Sequence, residues 1–315
     1  MTASTYHPSG RVPHAGFHAL GVAGLAAVGS ALVYAWLMAY LRPVLIPDLK
    51  PLLAVFALLG ACVWMCVLTR RVAAAGRIRN PDWMARAAAG LGLLAWYVQW
   101  AAYIVMEGAR SGGGLDVSAL AVIADLCFRP EALFHSAFIA PLANESMPMQ
   151  GGMVFCWCVE FYLHVLQPAR VGRKRAGMPF CEASGQWAQK IEVETDFEPF
   201  ADLEAAQRML EAEPRRFADM LVPRAEDAVG SYTRVTLFVC TGPESFITIS
   251  HCEQKAVENI PLPPEVVGAM AAGASEVECY WEQPIVELLR VPLPDSDALL
   301  RRWSAACQDV MLGLQ

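Results

Sequence analysis

The chain has 315 residues, enough for about two folding units. Hydrophobic residues make up 56% of it and charged residues 17%, with a mean hydropathy of +0.36. This excludes a disordered chain, and it fits poorly with one ordinary soluble domain, where roughly 25% of residues are charged.

Charge divides the chain. Residues 1–175 carry 14 Lys+Arg against 8 Asp+Glu, a net of +6, whereas residues 176–315 carry 10 against 23, a net of −13. A basic, apolar half precedes an acidic, polar half. Acidic surfaces repel phosphate backbones, which argues against nucleic acid as a partner of the second half. The ten cysteines show no paired CxxC spacing, so no zinc ribbon is expected. Scattered thiols in the acidic half suit a reducing compartment.

A helix needs about 20 apolar residues to cross a bilayer. Residues 15–41 meet that length, and 51–69 and 87–106 follow almost without charge. Residues 149–166 form a weaker fourth stretch because they contain Glu160 and His164. Trp36, Tyr40, Trp83, Trp96, Trp100 and Tyr103 lie near span ends, where aromatic rings favour the interface. Basic loops stay in the cytoplasm. Arg70, Arg71, Arg77, Arg79 and Arg86 between spans two and three, and Arg170, Arg173, Lys174 and Arg175 after span four, therefore place both chain ends inside. The sequence predicts a cytoplasmic tail over 1–14 and a four-helix membrane domain over 15–169. It further predicts a basic juxtamembrane linker over 170–179 and an acidic cytoplasmic α+β domain over 180–315. Residues 107–148 form an extracytoplasmic loop with short interfacial or re-entrant helices broken at Arg129-Pro130, because a further span would bury Asp125, Arg129 and Glu131.

The acidic half reads as alternating strands and helices. Ile191, Val193, Thr195 and Phe197 share one face of a strand over 190–197. A helix follows from Asp202, and Pro214 opens another. Strands over 232–240 and 245–252 flank the turn 241–244. A helix over 264–272 precedes alternation at 277–282, and Pro284 marks an edge or a bulge before 285–291. Ser296 caps a last helix. The order matches a split β-α-β unit.

No phosphate loop, dinucleotide fingerprint, zinc helix or nucleophile elbow occurs, so no cofactor is expected. Glu160 and His164 lie four apart on one helix face and are the leading candidates for catalysis or proton relay, since carboxylates in lipid are costly. Asp125, His135 and Glu145, with Asp116 and Asn144, form an outer polar group, a weaker candidate for a ligand or metal. Arg170, Arg173, Lys174 and Arg175 form a collar for anionic lipid. Ala19, Ala23, Ala27, Ala31 and Ala35 recur every fourth residue, a spacing that suits close helix contact within the chain or in a homo-oligomer.

The leading expectation is a non-enzymatic bacterial inner-membrane anchor that presents the domain 180–315 to a protein partner, as an accessory subunit of a secretion or conjugation machine. One alternative is a membrane enzyme or transporter that uses Glu160 and His164. The other is a membrane immunity or sensor protein.

Overall fold

A computed structural model of the chain describes residues 5–41, 49–112, 118–143, 145–193, 196–213, 217, 220–225, 230–240, 244–253 and 281–292. The chain divides into two compact units. One is Pro8–Gly177, and the other joins Met1–His7 to Met178–Gln315.

The first unit is helical. Its long helices are α1 (His14–Trp36), α2 (Leu49–Ala75) and α3 (Pro81–Gly112). Three short ones follow: α4 (Ser118–Cys127), α5 (Pro130–Phe134) and α6 (Ala140–Ala143). A final rod runs from α7 (Met147–Phe161) into α8 (Gln167–Ala176). Three π-helical turns interrupt the helices, at Leu37–Leu41, His135–Ile139 and Tyr162–Leu166. Each ends two residues before a proline in the sequence: Pro43, Pro141 or Pro168. Proline lacks an N–H and its ring clashes with the carbonyl four residues back. The residue before Pro141 and the one before Pro168 donate five residues back instead, from Ala140 N–H to His135 O and from Gln167 N–H to Tyr162 O.

Among the described residues, three helical stretches are long and apolar enough to cross a membrane: His14–Leu41, Pro51–Ala75 and Pro81–Arg110. The rod through α7 and α8 is not among them, since Glu160 and His164 lower its hydropathy. Small side chains face inward on α1, where Gly16, Ala23, Ala27, Ala31 and Ala35 are buried while Phe17, Val22, Leu25, Val33 and Trp36 are exposed. The Ala stripe packs against Ala88, Leu91, Ala95 and Met65, so it serves a contact within the chain. Only 11% of the apolar stretch of α2 is buried.

Several chain passages meet at one end of this bundle. Gly10 N–H donates to the Arg79 carbonyl and Arg79 N–H to the Arg11 carbonyl, each at 3.0 Å. The Asn80 amide donates to the Gly10 carbonyl and its Oδ1 accepts from Trp83 N–H, capping α3. Arg173 of α8 pairs with Asp82 at 3.1 Å. The approach to α1, the α2–α3 turn and the end of α8 therefore share one end. The expected linker 170–179 is helical through Ala176, with Pro168, Gly172 and Ala176 buried and Arg170, Arg173 and Lys174 exposed.

The break at Phe128–Arg129 matches expectation, with Pro130 in the first turn of α5. At about 1.5 Å per residue α4 is roughly 15 Å long, too short to cross a bilayer.

The second unit holds a hairpin, β1 (Phe180–Cys181) with β2 (Gln186–Trp187), and a four-stranded sheet. The sheet comprises β3 (Gln189–Glu192), β4 (Tyr232–Val239), β5 (Glu244–Glu253) and β6 (Trp281–Pro292) in chain order, each antiparallel to the next. This corrects the split β-α-β expectation. All three junctions within the described sheet, β3–β4, β4–β5 and β5–β6, are antiparallel pairs of consecutive strands, so it contains no parallel pair. Register is set by Ile191↔Leu237, Thr236↔Thr248 and Ile247↔Leu289. Ile191, Val193 and Phe197 do face one core, with Leu237, Ile247 and Leu289. Helix α9 (Leu203–Ala212) begins where Asp202 accepts from Ala205 N–H at 2.9 Å. The register slips beside Pro284, and Leu288 takes φ 51° with its N–H on Thr248 Oγ1, a bulge in β6. The expected tail 1–14 is not free, because Thr5 bridges Leu289 and Tyr6 N–H donates to the Leu288 carbonyl. The helices expected at 214, 264–272 and 296, the turn 241–243 and the alternation 277–280 lie outside the described residues.

Candidate functional site

Spacing on α3 builds the site. Trp96, Gln99, Trp100 and Tyr103 recur at three- and four-residue intervals, so they share one helix face. Trp96, Trp100 and Tyr103 were expected near a membrane interface. Instead Gln99 is buried, and the rings of Trp96 and Trp100 pack against Phe138 and Phe161 or Trp157.

Glu160, 8% exposed, projects from α7 toward this face. Its Oε1 accepts a short hydrogen bond from the Gln99 amide and a long one, 3.5 Å, from the Tyr34 hydroxyl of α1. The indole N–H groups of Trp96 and Trp100 also act on this carboxylate. Neither closes a hydrogen bond, and both nitrogens are buried without a partner. Donors from two helices, α1 and α3, are thus aimed at one acceptor group on a third.

His164 lies one turn on, buried in the π turn. Its Nδ1 meets the Glu160 backbone carbonyl at 3.0 Å. A carbonyl only accepts, so Nδ1 carries the proton and the neutral ring keeps Nε2 as its acceptor. The two side chains are therefore not bonded to each other, and the expected relay pair is not a dyad. The His164 ring instead meets the Tyr34 ring edge-on, with centroids 6.1 Å apart. Pro168 denies the His164 carbonyl its helical donor, and that oxygen turns to Gly92 of α3, where an added Cβ would lie 1.9 Å from it.

Beside Glu160 lies a cavity of about 300 Å³. Tyr34, Gln99, Trp100, Tyr103, Trp157 and Glu160 are among its lining residues. Met38, Ala54, Val55, Leu58 and Cys156 complete it, and Val55 and Cys156 are exposed at its rim. His164 lines a separate recess of about 10 Å³ with Ser30, Met65 and Gln99.

The outer polar group does not converge. Asp125 pairs with Arg129 on the exposed face of α4, and His135 and Glu145 are exposed. No three His, Cys, Asp or Glu side chains among the described residues could hold one metal. Asp116 and Asn144 lie outside the described residues. Arg170 caps the Tyr162 ring, its guanidinium 5.3 Å from the centroid, while Arg173 holds Asp82. Arg175 is half-buried.

The reading from sequence missed Tyr34, Trp96 and Trp100 as partners of Glu160. The three- and four-residue spacing around Gln99 was the available signal. Compared with protein-family models, curated proteins and solved structures, the chain finds no match.

Proposed function

We propose that this chain is a polytopic membrane protein whose helical bundle holds a small-molecule chamber at Glu160, serving transport or sensing. The observation that carries the reading is a buried carboxylate, met by donors from two other helices, on the wall of a cavity in a bundle whose outer face is apolar. A carboxylate among lipid-facing helices is costly and by default functional.

The bundle geometry supports a reading of four crossings. The approach to α1, the α2–α3 turn and the end of α8 share one end, so the chain enters and leaves on the same side. Three apolar helices supply an odd number of crossings, and the rod of α7 and α8 supplies the fourth. The arginines gathered at that end favour the cytoplasmic face, which supports a reading with both chain ends on the cytoplasmic side of a bacterial inner membrane.

Native mass spectrometry from nanodiscs tests the chamber with 1-aminoanthracene, a neutral ring system. A single adduct per chain is expected, and Ala54→Trp, which fills the cavity, removes it. Absence of the adduct, or its persistence in Ala54→Trp, contradicts the reading.

The anchor reading is supported by the separate core of the second unit, built on Phe197, Leu237 and Ile249. Under it, the sheet unit presents a surface to a protein partner in a secretion or conjugation machine. Glu160→Gln then leaves cellular function intact while deletion of 178–315 abolishes it; the chamber reading expects the first variant to be inactive.

A further inference from the structure

We infer that the chamber takes a lipophilic organic cation, one ammonium group carried on an apolar body. This rests on the chamber reading above and adds the chemical class of the ligand.

Charge comes first. Gln99 and Tyr34 both donate to the Glu160 carboxyl, an arrangement that suits a negative group there. No Lys, Arg or His cation among the described residues pairs with that carboxylate, and the His164 ring is occupied with the backbone carbonyl. A buried charge without a partner of opposite sign is costly, and the open side of Glu160 is the cavity itself.

The walls add a second preference. Tyr34, Trp100, Tyr103 and Trp157 line the cavity. Trp100 stands nearly perpendicular to Tyr103, at 87°, and to Trp157, at 86°. Rings at right angles present faces in different directions, and indole faces attract desolvated cations best. Met38, Ala54, Val55 and Leu58 offer only apolar contact to the rest of a ligand.

Other classes fit worse. An anion meets the carboxylate. A divalent metal finds one carboxylate and no cluster of three ligands. A cavity of about 300 Å³ lies at the small end of the ligand-site range, roughly 300–1,000 Å³. The exposed rim at Val55 and Cys156 faces the surroundings of the apolar bundle, so the ligand enters from the hydrocarbon phase.

Cys156 reports occupancy. The full chain in nanodiscs is alkylated with N-ethylmaleimide, and the rate at each cysteine is read by peptide mapping. The probes are benzyltrimethylammonium and neopentylbenzene, which share a shape and differ in charge. Cys158 also lies exposed on α7, about 200° around the helix, and serves as the control. Benzyltrimethylammonium is expected to slow alkylation of Cys156 saturably and to spare Cys158. Neopentylbenzene needs at least about tenfold higher concentration for the same protection. Glu160→Gln removes the cation effect while Glu160→Asp retains part of it. Equal protection by the two probes overturns the cation inference and leaves the chamber reading standing. Protection by neither probe, together with loss of the 1-aminoanthracene adduct, overturns both. The comparison of probes on the wild-type chain stands even where Glu160→Gln fails to fold.

Discussion

The two units differ in the residues they bury. The helical unit turns many alanines inward, together with Met65, Ile78 and Met84, and shows Phe17, Leu25, Phe56 and Val63 outside. The sheet unit buries Phe197, Phe217, Phe246, Leu210 and Ile249 almost completely. Water rewards the burial of large apolar groups, so a sheet in water collects them in a core. In lipid that reward vanishes, and helices associate through close approach of small residues. The helical unit's exposed apolar side chains are thus compatible with lipid contact, whereas the sheet unit gathers its large apolar side chains in a core.

The comparison breaks first at a large core residue. Phe197→Ala should destabilise the sheet unit by about 3–5 kcal/mol, read as a lower denaturant midpoint. A matching change on the helical unit, Phe56→Ala, should leave the bundle's melting in detergent unchanged, because Phe56 is 63% exposed. A large loss from Phe56→Ala would mean that Phe56 is packed against protein rather than lying on the outer face of the bundle.

Close approach is the bundle's counterpart of a large core. Gly92→Ala places a Cβ 1.9 Å from the His164 carbonyl, a backbone atom that cannot swing away. A cost of about 1–3 kcal/mol or more is expected, with loss of monodisperse protein on gel filtration. Gly90→Ala, two residues away and with nothing within 4 Å of its Cβ, should be neutral or slightly stabilising. Equal behaviour of the two variants would contradict the tight seam.

Smaller effects sharpen the sheet unit. Asp202→Ala removes the cap on Ala205 N–H and should cost about 1 kcal/mol, measurable in the same denaturant series. The Cys181 thiol supplies a pH dependence. Burial pushes it up, but hydrogen bonds from the Ser184 side chain and backbone, the Cys240 thiol and the Ala183 backbone outweigh burial and hold it below the ordinary thiol value. A depressed acid adds stability that is complete above its unfolded value and disappears as pH falls through its folded value. The midpoint difference between wild type and Cys181→Ala should therefore widen as pH rises through the alkaline range toward the ordinary thiol value. A flat difference contradicts this.

Much of the fold was legible because both solvents leave periodic marks. Stretches without charge located α1, α2 and α3, and period-two alternation located Ile191, Val193 and Phe197 on one face. Pro284 announced the bulged strand. Strand order was not legible, since the alternation of β3 through β6 fits a meander as well as a crossover; only pairing at long range decides it. The pairing of Thr5 with Leu289 spans nearly the whole sequence and left no local signal. Within the site, Glu160 stood out by its cost in an apolar stretch. Its partners did not, because Tyr34 and the tryptophans of α3 suit an interface as well as an interior until the helices are packed.

The even number of crossings is tested most directly by placing epitope tags at residues 1 and 315 and treating sealed membrane vesicles of both orientations with protease. The account predicts that both tags are lost from inside-out vesicles and both are protected in right-side-out ones, with the chain kept in the membrane after alkaline carbonate washing. Tags cut from opposite sides, or a chain released into the supernatant, would contradict it.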